Sequence, residues 1–145
     1  MKIPEHLIPI LTMIEPTKDW EIMTINDWTK HLIVANPATI KYLPMELLDG
    51  HQTSRILRPF PEKANDANLD WDKLNGEDWC WLLQEQPHFF VHLDDWDKLS
   101  GENWSWLLRI QTHFFVHLDD WDKLSGEDWS CLLQVQPQFA IHRKP

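Results

Sequence analysis

Residues 71–145 read WDKLNGEDWCWLLQEQPHFFVHLDD (71–95), WDKLSGENWSWLLRIQTHFFVHLDD (96–120) and WDKLSGEDWSCLLQVQPQFAIHRKP (121–145), three aligned copies of one 25-residue unit. Self-similarity at such a period marks a stacked repeat. A unit this short cannot bury its apolar face alone, whereas a stack of them can. Each copy opens on a tryptophan (Trp71, Trp96, Trp121) and carries another eight residues on (Trp79, Trp104, Trp129). The same frame reaches back into the divergent N-terminal half. Trp20 and Trp28 are again eight apart, and Met45, Leu48, Gly50, Ile56-Leu57 and Pro61 fall on the positions of Trp71, Leu74, Gly76, Leu82-Leu83 and Pro87. All four glycines (Gly50, Gly76, Gly101, Gly126) thereby hold one position of the unit. Five units result, starting at residues 20, 45, 71, 96 and 121. Residues 1–19 read as a cap, and the degenerate stretch 58–68 as a loop at which the stack could break.

Within a unit, Asn75-Gly-Glu-Asp78, Ser100-Gly-Glu-Asn103 and Ser125-Gly-Glu-Asp128 set a capping residue first and a short polar or acidic residue at the third helical position. This pattern starts helices, and Thr24-Ile-Asn-Asp27 repeats it in the first unit. Trp79, Leu82, Leu83 and Gln86 then lie at i, i+3, i+4 and i+7, one helical face, and Pro87 and Pro137 close the helix. The next segment, His88-Phe-Phe-Val-His-Leu93, is short, aromatic and β-branched, so it suits a helical turn or a short strand. The following Trp-Asp-Lys-Leu reads as one more turn of helix. The fold expected is an all-α solenoid of alternating α and short or 3-10 helices.

The pattern DWxKLxGxDWxxLLxxQPxF resembles tandem repeats of large uncharacterised bacterial proteins over residues 70–142, and only loosely over 20–69. The stretch Asn36-Pro-Ala-Thr-Ile-Lys-Tyr-Leu-Pro-Met-Glu-Leu-Leu48 is similar to the leucine-rich variant repeat. That resemblance implies α and 3-10 helices stacked in a right-handed superhelix. Neither resemblance carries a catalytic residue.

Composition narrows the function. Ten tryptophans stand against a single tyrosine, and the net charge is −10 from 23 acidic and 13 basic residues. A field of that sign argues against direct binding of nucleic acid or an anionic membrane. The charge is uneven: residues 71–145 hold 13 acidic and 6 basic residues, residues 1–70 hold 10 and 7. Cys80 and Cys131 fit neither a disulfide framework nor a metal-ligand spacing, and read as free thiols of a reducing compartment. The opening stretch is apolar but broken by prolines and Glu5, unlike a signal peptide, and no run approaches the ~20 apolar residues that span a bilayer. A cytoplasmic protein is expected.

Three repeated features invite a chemical reading. His88/His92 and His113/His117 are i, i+4 pairs, but the last copy has Gln138 and His142, no cysteine lies in register, and no metal or cofactor is expected. Such a histidine would instead be half-buried and bond to a neighbouring unit. Gln86, Gln111 and Gln136 recur where the helix ends, placed to hydrogen-bond from unit to unit. Finally Asp94, Asp95, Asp97 and Glu102 return as Asp119, Asp120, Asp122 and Glu127. They read as a solvated face, or as an acidic stripe complementary to lysines and arginines of a partner. The spacing is not that of a calcium loop.

The tryptophans divide in the same way. Trp79, Trp104 and Trp129 share the leucine face and belong to the core. Trp81 and Trp106 sit two residues further, about 200° round the helix, where the last copy has Cys131. They either pack between units or stand as exposed anchors for a partner. With no phosphate loop and no nucleophile elbow, an enzyme is not expected. The function expected is non-enzymatic recognition of a protein partner by a repeat surface. The alternative is an acidic mimic of nucleic acid that occupies a basic channel, as some phage-encoded inhibitors of bacterial defence systems do. A third reading is a fragment of a longer repeat array.

Overall fold

The computed structural model describes residues 1–32 and 36–144, apart from the side chains at 31 and 32. In units 3 to 5 the Trp-Asp-Lys triplet forms a single 3-10 turn: Trp71–Lys73, Trp96–Lys98 and Trp121–Lys123. The aspartate just before it (Asp70, Asp95, Asp120) accepts from the backbone N–H two residues on. An extended leucine follows, and then a ten-residue α-helix: Gly76–Glu85, Gly101–Ile110 and Gly126–Val135. Each helix opens on a complete capping box, Asn75/Asp78, Ser100/Asn103 and Ser125/Asp128. The cap takes the N–H of the third helical residue, whose side chain returns to the N–H of the cap. Thr24/Asp27 and Asp49/Gln52 repeat the device in units 1 and 2. Five boxes thus hold one register, and each cap is worth about 1 kcal/mol of helix stability. The box at Asp49 uses glutamine, not a short acid, which hides it from the pattern of the later units.

The segment after each helix is a 3-10 helix and not a strand: Pro37–Tyr42, Pro61–Asn65, Pro87–His92, Thr112–His117 and Pro137–His142. Phe89 N–H donates to the Gln86 carbonyl at 3.2 Å and Leu93 N–H to the Phe90 carbonyl at 3.0 Å, the i→i+3 pattern. Phe89 and Leu93 turn into the core, while Phe90 and Val91 stay outside. The aromatic and β-branched content therefore serves two faces of a tight helix. Among the described residues the β-pairing is one isolated bridge, Lys2 with Thr24. Proline is not needed for the break: unit 4 has Thr112, and its helix still ends at Ile110.

Four contacts join each of the later units to the next. The glycine at the first helical position lies under the lysine carbonyl of the following unit. A Cβ on Gly50, Gly76 or Gly101 would run into the carbonyl of Lys73, Lys98 or Lys123, whereas one on Gly126 would meet nothing. None of the four has a positive φ, so close approach and not backbone freedom selects glycine. Ser54, Cys80 and Ser105 donate to the carbonyls of Asp78, Asn103 and Asp128 in the following unit. The Lys73, Lys98 and Lys123 ammonium groups donate back to the carbonyls of Leu48, Leu74 and Leu99. Gln86, Gln111 and Gln136 donate back to the carbonyls of Arg58, Gln84 and Arg109, at 2.7, 3.0 and 2.9 Å. Those carbonyls end the preceding helices, where no intrahelical donor remains. The recurring glutamine is therefore the structural bridge its position suggested, and its partner is main chain and not another amide.

One hydrophobic core runs through the stack from Ile3 to Phe139. At its head the helix Ile8–Ile14, led by a 3-10 turn Glu5–Leu7, sets Ile3, Leu7 and Leu11 against unit 1. Unit 1 is irregular, a single α turn Ile25–Asp27 running into a π-helical turn Trp28–Leu32. Residues 58–68 contain the helix Pro61–Asn65, with Phe60 and Ala64 against the core, and burial pushes the Lys63 ammonium pKa down.

Candidate functional site

Because Trp79, Leu82 and Leu83 hold the inner face of their helix, the residue two beyond Trp79 must point outward. The same holds in unit 4 around Trp104, Leu107 and Leu108. Trp81 and Trp106 are each 41% exposed, and their ring centroids lie 6.2 Å apart with planes inclined at 33°. They touch across the unit boundary, and each keeps a free surface. Arg109 adds a third layer, its guanidinium carbon 3.7 Å from the centroid of the Trp106 ring. Its Nε donates to the Ser105 carbonyl at 3.3 Å, so the side chain is anchored at its base. Unit 3 has Gln84 in the place of Arg109. That amide turns to the Cys80 sulfur, and among the described residues no Lys or Arg lies over the Trp81 ring.

Carboxylates edge the pair. Glu77 and Glu102 line a small cleft with Trp81 and Trp106 of about 160 Å³. Between units 4 and 5, where Cys131 replaces a third tryptophan, a larger cleft of about 360 Å³ opens among Glu102, Trp106, Arg109, Glu127 and Asp128. In units 1 and 2 the position of Trp81 is held by Lys30 and Arg55, so the aromatic face belongs to units 3 and 4.

The predicted acidic stripe divides. Glu102 and Glu127, on the first helical turns, join Trp106 at the cleft. The six aspartates lie on the turns that enter each unit, and four of them are engaged there. Asp95 and Asp120 cap the 3-10 turns. Asp97 meets Lys123 at 3.3 Å, and Asp122 meets Lys144 at 3.1 Å. Asp94 and Asp119 are exposed.

The recurring histidine also differs from expectation. His92, His117 and His142 lie flat on the opening tryptophan of their own unit, Trp71, Trp96 and Trp121, each 4.3 Å between centroids and within 6° of parallel. Stacking places them, and among the described residues their imidazoles make no hydrogen bond to a neighbouring unit. His88 and His113 rest instead on Phe89 and Phe114 at 4.2 Å, which leaves the paired imidazoles no common focus. Among the described residues no three His, Cys, Asp or Glu side chains gather as a metal site would need.

Both cysteines are free, and they differ. Burial pushes the Cys80 thiol up to about 11, against a lowering hydrogen bond from Gln84. A thiol that resists ionisation is a poor nucleophile, and Cys80 serves as the small donor that serine is in units 2 and 4. Cys131 is half-buried on the wall of the larger cleft.

Sequence reasoning passed over two features. One is Arg109 on Trp106, which was legible as an i, i+3 pair. The other is an apolar ridge on the 3-10 helices, where Phe90, Val91, Phe115, Val116 and Ile141 are exposed. Its outward positions emerge only once the segment is known to be a 3-10 helix. No family model, curated protein or solved structure matches the chain.

Proposed function

We propose that this chain is a non-enzymatic protein-interaction module, and that it receives an extended basic segment of a protein partner across the helix face of units 3 to 5. The observation that supports this reading most is Arg109 lying on Trp106 within a border of glutamates. The molecule seats one guanidinium of its own on this surface, and the adjacent Trp81, with Glu77 and Glu102 beside it, has none. A partner arginine or lysine over Trp81 would gain about 0.5–1 kcal/mol from the ring, more once water is excluded. The free thiols agree with a cytoplasmic setting, and among the described residues no helix is long and apolar enough to cross a membrane.

The acidic mimic of nucleic acid receives less support, since four of the six aspartates are held by caps or lysines. A pull-down from nuclease-treated lysate, eluted in salt steps, separates the two readings. A partner lost with Trp81→Ala or Trp106→Ala, each costing about tenfold or more in affinity, supports the aromatic face at whatever salt it elutes. A partner retained equally by both variants and released by moderate salt rejects it, because purely charged contacts are screened over about 10 Å at 0.1 M salt.

A further inference from the structure

The two clefts beside Trp106 are one feature of the repeat met twice. Between units 3 and 4 the walls are Glu77, Cys80, Trp81, Glu102, Asn103 and Trp106. One unit on, their counterparts Glu102, Ser105, Trp106, Glu127, Asp128 and Cys131 surround the gap between units 4 and 5, together with Arg109. The exchange that matters is Cys131 in the place of a tryptophan. With the smaller side chain the cleft measures about 360 Å³, against about 160 Å³ where two rings border it.

The walls of the larger cleft do not balance in charge. Glu102, Glu127 and Asp128 line it with a single guanidinium, that of Arg109. The Asp128 carboxylate is taken by its capping box, where it accepts from the Ser125 N–H at 2.9 Å. Glu102 and Glu127 are exposed and enter no ion pair among the described residues. Arg109 does not compensate them, because it lies on Trp106 and its Nε is held by the Ser105 carbonyl. A further anion would meet a surplus of carboxylates there, and a cation would offset it.

We propose that the cleft between units 4 and 5 takes a single basic side chain of the protein partner, its alkyl stem beside Cys131 and Trp106 and its charge at Glu102 and Glu127. The inference rests on, and deepens, the reading of units 3 to 5 as the seat of a basic segment. It adds a second anchor one unit along from Trp81, so the partner carries two basic residues at a matching separation. Lysine and arginine bury an apolar stem while the charged head stays in water. That division suits a cleft whose thiol is half-buried and whose glutamates are exposed.

Cys131 allows the cleft to be probed without the partner. Its thiol exchanges with a small symmetric disulfide, keeping one half of the reagent in the cleft and releasing the other as thiol. Cys80 is buried and out of reach while the chain is folded. The full native chain is equilibrated at about 0.1 M salt, where the field of distant charges is screened, with equal amounts of cystamine, hydroxyethyl disulfide and dithiodipropionate. Intact mass reads the adducts. The ammonium adduct should exceed the neutral one by about fivefold, and the carboxylate adduct should fall below both. Glu102→Gln with Glu127→Gln, at exposed sites that leave the circular dichroism unchanged, should level the ammonium and neutral adducts. Met13→Cys with Cys131→Ser moves the thiol to an exposed position of the N-terminal helix, where the preference for ammonium should be weaker. A preference no larger at Cys131 than in that variant overturns the proposal, as does one undiminished by the glutamines or one for the anion. So does a Cys131 that admits none of the three reagents in the folded chain, since a cleft closed to them is closed to a side chain. Failure of the tether strikes this cleft alone, whereas Trp81→Ala and Trp106→Ala in the pull-down decide the aromatic face.

Discussion

At the scale of single residues, position in the stack outweighs residue type. Gly101 and Gly126 have the same sequence surroundings, but only Gly101 has a carbonyl above it. Gly101→Ala should cost about 1–3 kcal/mol, the usual penalty for forcing atoms into a packed site. Gly126→Ala should be neutral or stabilise by about 0.5 kcal/mol by restricting the unfolded chain. Urea denaturation of the two variants checks the contrast, and equal effects would show that close approach is not what selects glycine. The cysteines form a second pair. Cys131 should react with an aromatic disulfide reagent in the native protein, and Cys80 only on unfolding. The Cys80 pKa is raised in the fold, from 9.0 to about 11. The contribution of the protonated thiol is thus fully present below pH 9.0 and is lost as pH rises towards about 11. Cys80→Ser, which keeps a donor for the Asn103 carbonyl, should remove that alkaline loss in a pH series of melting temperatures.

At the scale of elements, capping and inter-unit bonds share the work of ending and starting helices. Unit 4 turns from α to 3-10 helix without the proline of units 3 and 5. Gln111 there has φ −112° and ψ 75°, in the same region as Gln86 and Gln136, which precede prolines. The turn is therefore already shaped for proline, and Thr112→Pro should stabilise by about 0.5–1 kcal/mol in thermal or urea unfolding. A loss instead would show that the threonine N–H has a partner worth more than the entropy gained. The stretch 58–68 is a further test of the elements. With its 3-10 helix, and the Gln86 amide on the Arg58 carbonyl, it should resist limited proteolysis as well as 86–95 does. Early cleavage there would favour a stack broken at that point.

For the whole molecule, stability should follow the neighbours each unit has, because a solenoid gains its free energy at the joints. The helices Gly76–Glu85 and Gly101–Ile110 pack against helices on both sides, and Gly126–Val135 against one. Amide exchange should accordingly be slowest in the first two and faster in the third, where Gly126 and Ser130 are exposed. Uniform protection across the three helices would mean that the array unfolds only as a single body.

The sequence by itself determined the period, the caps at Thr24, Asn75, Ser100 and Ser125, and the inner faces of the helices. All of these rest on spacings of three, four and eight residues, or on a motif copied in tandem. Local hydrogen bonding and helical geometry act within one turn, so the chain displays them directly. What only the tertiary structure decided lies between units, at separations of 23 to 28 residues. It decided why glycine holds its position, which carbonyl each glutamine takes, and why one cysteine is buried and the other borders a cleft. It also showed that His92 stacks on Trp71, and that Asp95 and Asp120 cap the turns that open units 4 and 5. The physical reason is that a repeat writes the same letters into every unit, while the exposure and partners of each letter depend on the neighbour stacked against it.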